Sequence, residues 1–207
     1  MREVYALTLS DTMDRNWNLL DRTLAFDGYF KIIRYRLQHT LFAGGWGKPI
    51  VREVFERGSA AAVLPYDRER DELLLVEQFR IGALNDPAGP WLMELIAGII
   101  EPGEPIEEVV RREAVEEAGI TLDEVTPITD YYVSPGGTTE KLHLFWATAD
   151  LSGAGGVHGL EDEGEDIRVH VVRPEEAFRM VDEGEIRNAM TLLALQWFRA
   201  RYAEWKS

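Results

Sequence analysis

The sequence predicts an α+β fold, layered as α/β/α, with a small antiparallel sheet unit ahead of the main body. Three observations carry this expectation. The first quarter of the chain reads as strands separated by glycine turns, the middle mixes strands with one charged helix, and two helices close the chain. A doubly wound parallel sheet would instead alternate strand and helix throughout.

The elements follow in order. Asp27-Gly28 signals a turn, and residues 29–39 (YFKIIRYRLQH) are rich in β-branched and aromatic side chains. Gly44-Gly45 marks a second turn, and residues 50–56 (IVREVFE) alternate as a half-buried strand does. These strands set apart residues 1–58 as a sheet unit, with residues 59–207 as the main domain. In that domain, residues 60–64 and 73–76 read as strands around the polar stretch 67–72. Residues 91–100 form one strongly apolar segment, and 106–118 a helix. Further strands are expected at 142–148 and 167–172, and helices at about 174–182 and 189–202. Residues 1–26 carry no usable motif.

Composition narrows the function. The 207 residues are 45% hydrophobic and 29% charged, an ordinary globular balance. There is no cysteine, which excludes disulfides, thiol nucleophiles and cysteine-ligated zinc. His39, His143, His158 and His170 are scattered, with no pair at ligand spacing. Residues 1–11 lack the apolar core of a signal peptide, and no stretch nears the roughly 20 apolar residues of a membrane span. A cytoplasmic protein with no membrane partner is expected. A net charge of −15 argues against nucleic acid, whose phosphates need a basic surface. Carboxylates near a phosphate substrate make sense only with metal cations between them.

Residues 98–120 (GIIEPGEPIEEVVRREAVEEAGI) concentrate that requirement. Pro102-Gly103 makes a turn, Glu104 stands where a helix begins, and Pro105 suits the first helical position. Gly119 suits a left-handed residue at the helix C-terminus. Glu113, Glu116 and Glu117 share one side of the helix, where like charges cost roughly a few tenths of a kcal/mol per pair. Arg112, four before Glu116, relieves part of the repulsion, and a hard divalent cation on carboxylate oxygens would relieve the rest. An acidic run is ordinarily a solvated face. Here the spacing overrules that reading: Gly98, five residues, Glu104, seven residues, Arg112-Glu113, Ala114, one residue, Glu116-Glu117, one residue, Gly119, Ile120.

This segment resembles the Nudix box throughout. The resemblance implies the Nudix α/β/α sandwich and hydrolysis of a nucleoside diphosphate linked to another moiety, with Mg²⁺ as the cofactor and Mn²⁺ as its alternative. It implies that Glu113, Glu117 and the Ala97 carbonyl ligate metal, that Glu116 ligates or supports it, and that Arg112 orients the glutamates.

Three further passages resemble the bacterial ADP-ribose pyrophosphatase branch, and the resemblance runs from about Asp27 to Trp197. Ser134-Pro135-Gly136-Gly137, followed by Glu140, places Pro135 fifteen residues after Ile120, although Pro-Gly also favours a plain turn. Arg52 and Arg80 match arginines that contact the nucleotide sugar, and Tyr29 matches an aromatic that stacks on adenine. Surface ion pairing and sheet packing are the competing readings of these three. The acidic loop 159–169 (GLEDEGEDIRV) places Glu163 where relatives carry a general base and Glu165 where they carry a metal ligand, although acidic loops are often plain surface.

The expected reaction converts ADP-ribose to AMP and ribose 5-phosphate, in a homodimer whose N-terminal sheet covers the partner's site. Another nucleotide sugar such as GDP-mannose is the rival substrate. A non-catalytic ADP-ribose sensor that regulates transcription is a more distant alternative. It is opposed by the intact box carboxylates, the acidic charge and the mere 35 or so residues after Val172.

Overall fold

The computed structural model describes residues 15–205, apart from the Glu163 side chain. Residues 1–11, read above for a signal peptide, lie outside that range. The chain divides into two compact units. One reaches to Arg57 and takes in Ser134–Thr139; the other comprises Gly58–Val133 and the chain from Glu140 onward.

The first unit is a three-stranded antiparallel sheet in the order β1 (Trp17–Asp27), β2 (Lys31–His39), β3 (Ile50–Glu56). The turn at Asp27-Gly28 joins β1 to β2, and Gly44 and Gly45 both take positive φ in the connection to β3. β1 lies in the stretch where no motif was expected, and every one of its residues is exposed. The segment Ser134–Thr139 belongs to this unit because its backbone bonds to β3. Phe55 N–H donates to the Gly137 carbonyl at 2.8 Å, and Thr139 N–H to the Phe55 carbonyl at 3.2 Å.

The second unit is built on β4 (Ala60–Asp67), β5 (Glu72–Phe79), β6 (Trp91–Glu94), β7 (Ile96–Ile99), β8 (Val125–Tyr132), β9 (Lys141–Thr148), β10 (Gly156–His158) and β11 (Ile167–Val172). The strands run in the order β10-β11-β5-β4-β9-β8, with β6 on β5 and β7 on β4. Only β4 and β9 pair in parallel, so the sheet is mixed, as an α+β reading requires. Pro65 is tolerated in central β4 because it falls between the β7 pairing, which ends at Val63, and the β5 pairing, which starts at Tyr66.

β4 is buried along its whole length because both of its faces are covered. Ala60, Ala62, Leu64 and Tyr66 face a core shared with α2 (Pro174–Asp182) and α3 (Ala189–Arg199). Ala61 and Val63 face a second core under α1 (Ile106–Ala118). Each fully buried leucine here is worth about 1.5–3 kcal/mol over an exposed one. A short α4 (Tyr202–Trp205) stacks Trp205 on Trp146, so the helix expected over 189–202 ends earlier and restarts. The apolar segment 91–100 also divides, at Leu95, into strands with different partners. α1 keeps its expected bounds, with Gly119 left-handed at φ 64°; Pro105 sits one place earlier than expected, as N-cap.

Candidate active site

The strand β7 and the helix α1 meet where the motif predicts crowding. Gly98 faces Glu113 so closely that a Cβ there would lie 1.7 Å from Glu113 Oε1, so only glycine leaves room for this carboxylate. The neighbouring Ala97 N–H donates to Glu117 Oε2 at 3.0 Å. Glu113 and Glu117 are therefore drawn inward, 9% and 2% exposed, while Glu116 stays nearer solvent.

Arg112 links the remaining carboxylates. Its Nη1 donates to Glu113 Oε1 at 2.7 Å and to Glu116 Oε2 at 2.9 Å, and its Nε to Glu104 Oε1 at 3.1 Å. The bond from Arg112 holds the Glu104 carboxyl below its ordinary range. Burial acts the other way on the inner pair. It raises Glu113 against the pull of Arg112, and pushes Glu117 up to about 8 against its bond from Ala97. The charge of Glu165 adds to both shifts, so Glu113, Glu117 and Glu165 share one electrostatic neighbourhood.

Arg80 lies at the edge of the same neighbourhood, where its charge lowers Glu117. Its Nε and Nη2 reach Glu94 Oε2 at 2.9 and 2.8 Å, and Gln78 Nε2 stands 3.5 Å from the same oxygen. Glu94 is 4% exposed and was not singled out from sequence; a lone charge within an apolar run was the available signal. Arg187 was missed as well. It donates to the carbonyls of Gly89 and Trp91, each at 3.1 Å, and pairs with Asp86, so it braces the loop between β5 and β6.

Glu165 anchors its own loop, accepting from Leu160 N–H at 3.1 Å. Glu163 ends a 3₁₀ turn, Glu161–Glu163. Glu140 is buried just before β9 and, after desolvation, helps raise the Tyr131 hydroxyl to about 12. A cleft of about 290 Å³ opens among Glu77, Trp91, Val157, Asp166 and Arg168, beside Glu165 in sequence.

Tyr29 and Arg52 belong to the N-terminal sheet. Tyr29 is 90% exposed and meets Phe30 edge-on at 4.7 Å. Arg52 lies opposite Tyr35 and donates to the Val51 carbonyl at 2.8 Å.

Residues 56–195 match the model of the NUDIX domain. The chain belongs to the Nudix family. It is 45% identical over 189 residues to an ADP-ribose pyrophosphatase of Escherichia coli strain K12, covering 91% of this chain and 90% of that one. An ADP-ribose pyrophosphatase of Haemophilus influenzae is 43% identical over 90% of this chain and 87% of its own. A GDP-mannose pyrophosphatase of Pectobacterium atrosepticum is 37% identical over 86% and 92%. The crystal structure of an ADP compounds hydrolase shares the fold, with a TM-score of 0.71 at 19% identity over 92% of this chain and 97% of that one.

Nudix hydrolases generally use divalent cations, and the residues around this Nudix helix suit one. The donors are hard carboxylate oxygens, two of them are buried, where an unpaired negative charge is disfavoured, and Gly98 keeps open the space Glu113 occupies. Among the described residues, no three candidate side-chain ligands already close around a point; Glu113 is bonded to Arg112 and Glu117 to the Ala97 N–H. No helix among them is long and apolar enough to cross a membrane.

Proposed function

We propose that this Nudix hydrolase splits the diphosphate of ADP-ribose into AMP and ribose 5-phosphate with Mg²⁺. The observation that carries the chemistry is the inward pair Glu113 and Glu117, buried against Gly98 and Ala97 on the Nudix helix. The choice of ADP-ribose over GDP-mannose is supported by the greater identity to the ADP-ribose pyrophosphatases.

In this proposal Glu113, Glu117, Glu165 and the Ala97 carbonyl would hold the cation, with Glu116 beside them. When bound, the cation neutralises diphosphate charge and lowers the pKa of water. Arg112 keeps Glu113 and Glu116 from repelling each other and fixes their orientation. Arg80, itself fixed by Glu94, presents its guanidinium to a phosphate, the geometry for which arginine is suited. Glu163 takes the proton of the attacking water as general base. Tyr29 stacks on the base, and Arg52 and Glu140 contact the nucleotide sugar.

The proposal extends to a homodimer in which the N-terminal sheet of one protomer covers the substrate of its partner. It is supported by the exposed Trp17, Leu24, Phe26 and Tyr29 of that unit, since grouped apolar side chains on a surface mark interaction sites. A cytoplasmic location is supported by the absence of cysteine, and a small anionic substrate rather than nucleic acid by the charge of −15. The test is release of AMP or GMP from a panel of nucleoside diphosphate sugars with Mg²⁺. ADP-ribose should give the highest kcat/KM; preference for GDP-mannose would overturn the substrate, and full turnover in excess EDTA the mechanism. Light scattering should report twice the 23.6 kDa chain mass.

A further inference from the structure

The loop carrying Glu163 and Glu165 leaves β10 at His158 and enters β11 at Ile167, and these two residues are cross-strand partners. Its stem is stitched to the last turn of α1. Gly159 N–H donates to the Glu116 carbonyl at 3.2 Å. The His158 ring lies against Gly119, where a Cβ would come within 2.9 Å of Cε1. Gly119 is thus held to glycine twice over, by its left-handed backbone and by this ring. The neighbouring ring nitrogen is tied down as well: Nε2 donates to the Gly155 carbonyl at 2.8 Å.

From that stem the loop folds directly onto Glu165. Gly159 has φ 104°, and a Cβ there would lie 2.7 Å from the Glu165 Cβ. Leu160 N–H donates to Glu165 Oε2 at 3.1 Å, and Glu165 N–H to the Leu160 carbonyl at 3.2 Å. Glu165 therefore has a fixed relation to Gly159, and Gly159 to the end of α1. His158 sits at the joint between the two.

We infer that His158 is a positioning residue: its ring, seated on Gly119 and bonded to Gly155, sets where the acidic loop leaves the Nudix helix and so where Glu165 stands relative to Glu113 and Glu117. The inference rests on the reading of Glu165 as a metal ligand. Partners that orient a ligand without touching the ion typically change metal affinity 10–100-fold.

The test is direct Mn²⁺ binding to the 207-residue chain, read from the electron paramagnetic resonance signal of free Mn²⁺, beside thermal unfolding of the metal-free forms. His158→Ala and His158→Leu should each weaken Mn²⁺ binding roughly tenfold, the low end of that range. Leucine keeps bulk against Gly119 and protects the fold. His158→Gln, which retains a donor for the Gly155 carbonyl, should bind nearly as wild type. The Mg²⁺ concentration for half-activity should rise in parallel with the Mn²⁺ defect. Wild-type affinity in a folded alanine or leucine variant, with Glu165→Gln binding weakly, overturns the positioning role alone. Wild-type affinity in Glu165→Gln overturns the ligand reading, and this inference with it.

Discussion

Arg80 and Glu94 form an ion pair in which both Nε and Nη2 of the arginine converge on one oxygen of a carboxylate that is almost wholly buried. The pairing follows from strand geometry. Arg80 directly follows β5, Glu94 ends β6, and the two strands pair antiparallel from Val76–Glu94 to Phe79–Trp91. A guanidinium gripped at two nitrogens has lost most of its rotational freedom before any phosphate arrives.

Loosening that grip should therefore damage catalysis while leaving the box intact. For Glu94→Gln we expect kcat/KM for ADP-ribose to fall about 10- to 100-fold, the scale of an ångström-level misplacement. The loss should appear mainly in KM, and the Mg²⁺ concentration for half-activity should be little changed. Steady-state kinetics at several Mg²⁺ concentrations check this. A selective change in metal requirement would instead make Glu94 part of the metal site.

The raised Glu117 carboxyl makes a prediction about pH. Its value in the folded protein is about 8, against an ordinary 4.5, so between those pH values the folded state binds more protons than the unfolded state. Stability of the metal-free protein should then decline as pH rises from about 5 to 8. Glu104, held low by Arg112, contributes the opposite slope, but only below pH 4.5. Thermal midpoints in EDTA across this range measure the effect, and Glu117→Gln should reduce it, leaving the part that Glu113, raised in the same direction by burial, contributes. A divalent cation requires the deprotonated form, so adding Mg²⁺ should stabilise the protein more at pH 8 than at pH 6.

Gly98→Ala places a methyl group in the space occupied by the Glu113 carboxylate. Either the carboxylate swings away or the strand shifts. Activity should fall by more than about a hundredfold, beyond the usual effect of losing a supporting partner. Circular dichroism should still report a folded chain, because the overlap is with the end of one side chain. Glu113→Gln should give a similar loss by a different route, removing the charge and keeping the position.

The two loop glutamates should separate in a pair of Mg²⁺ titrations of initial rate. Glu163→Gln, if it removes a general base, should lower kcat by roughly 10²–10⁴ with little change in KM or metal requirement. Glu165→Gln should raise the Mg²⁺ requirement, and added metal should partly restore its rate. Reversed behaviour would exchange the roles. Near wild-type rates in both would return the loop to plain acidic surface and make Glu116 the next candidate base.

What the sequence revealed divides along the range of the interactions. α1 was legible to the residue because its stop signal, Gly119, is local, and β11 and α2 were equally sharp. β1 was not legible: the run WNLLDRTLAFD has no alternation to follow, and all its residues are exposed. β8 was hidden by Pro127, which sits at a register shift, and β10 is three residues between glycines. At the site, the box carboxylates could be read from spacing alone. The partners of Arg80, the bracing of its loop by Arg187 and the seat of His158 on Gly119 arise only when distant segments meet.

The placement of Ser134–Thr139 bears on how the molecule can be taken apart. The chain leaves the N-terminal sheet after Arg57, builds half of the larger unit, returns to bond with Phe55, and only then completes the larger unit from Glu140. A single cut near Gly58 would release neither half cleanly. The downstream fragment would carry a six-residue excursion stripped of its strand, and the upstream fragment would expose the β3 backbone groups that the excursion satisfies. A minimal catalytic fragment, or a chimera that swaps N-terminal sheets between relatives, therefore has to exchange both stretches together.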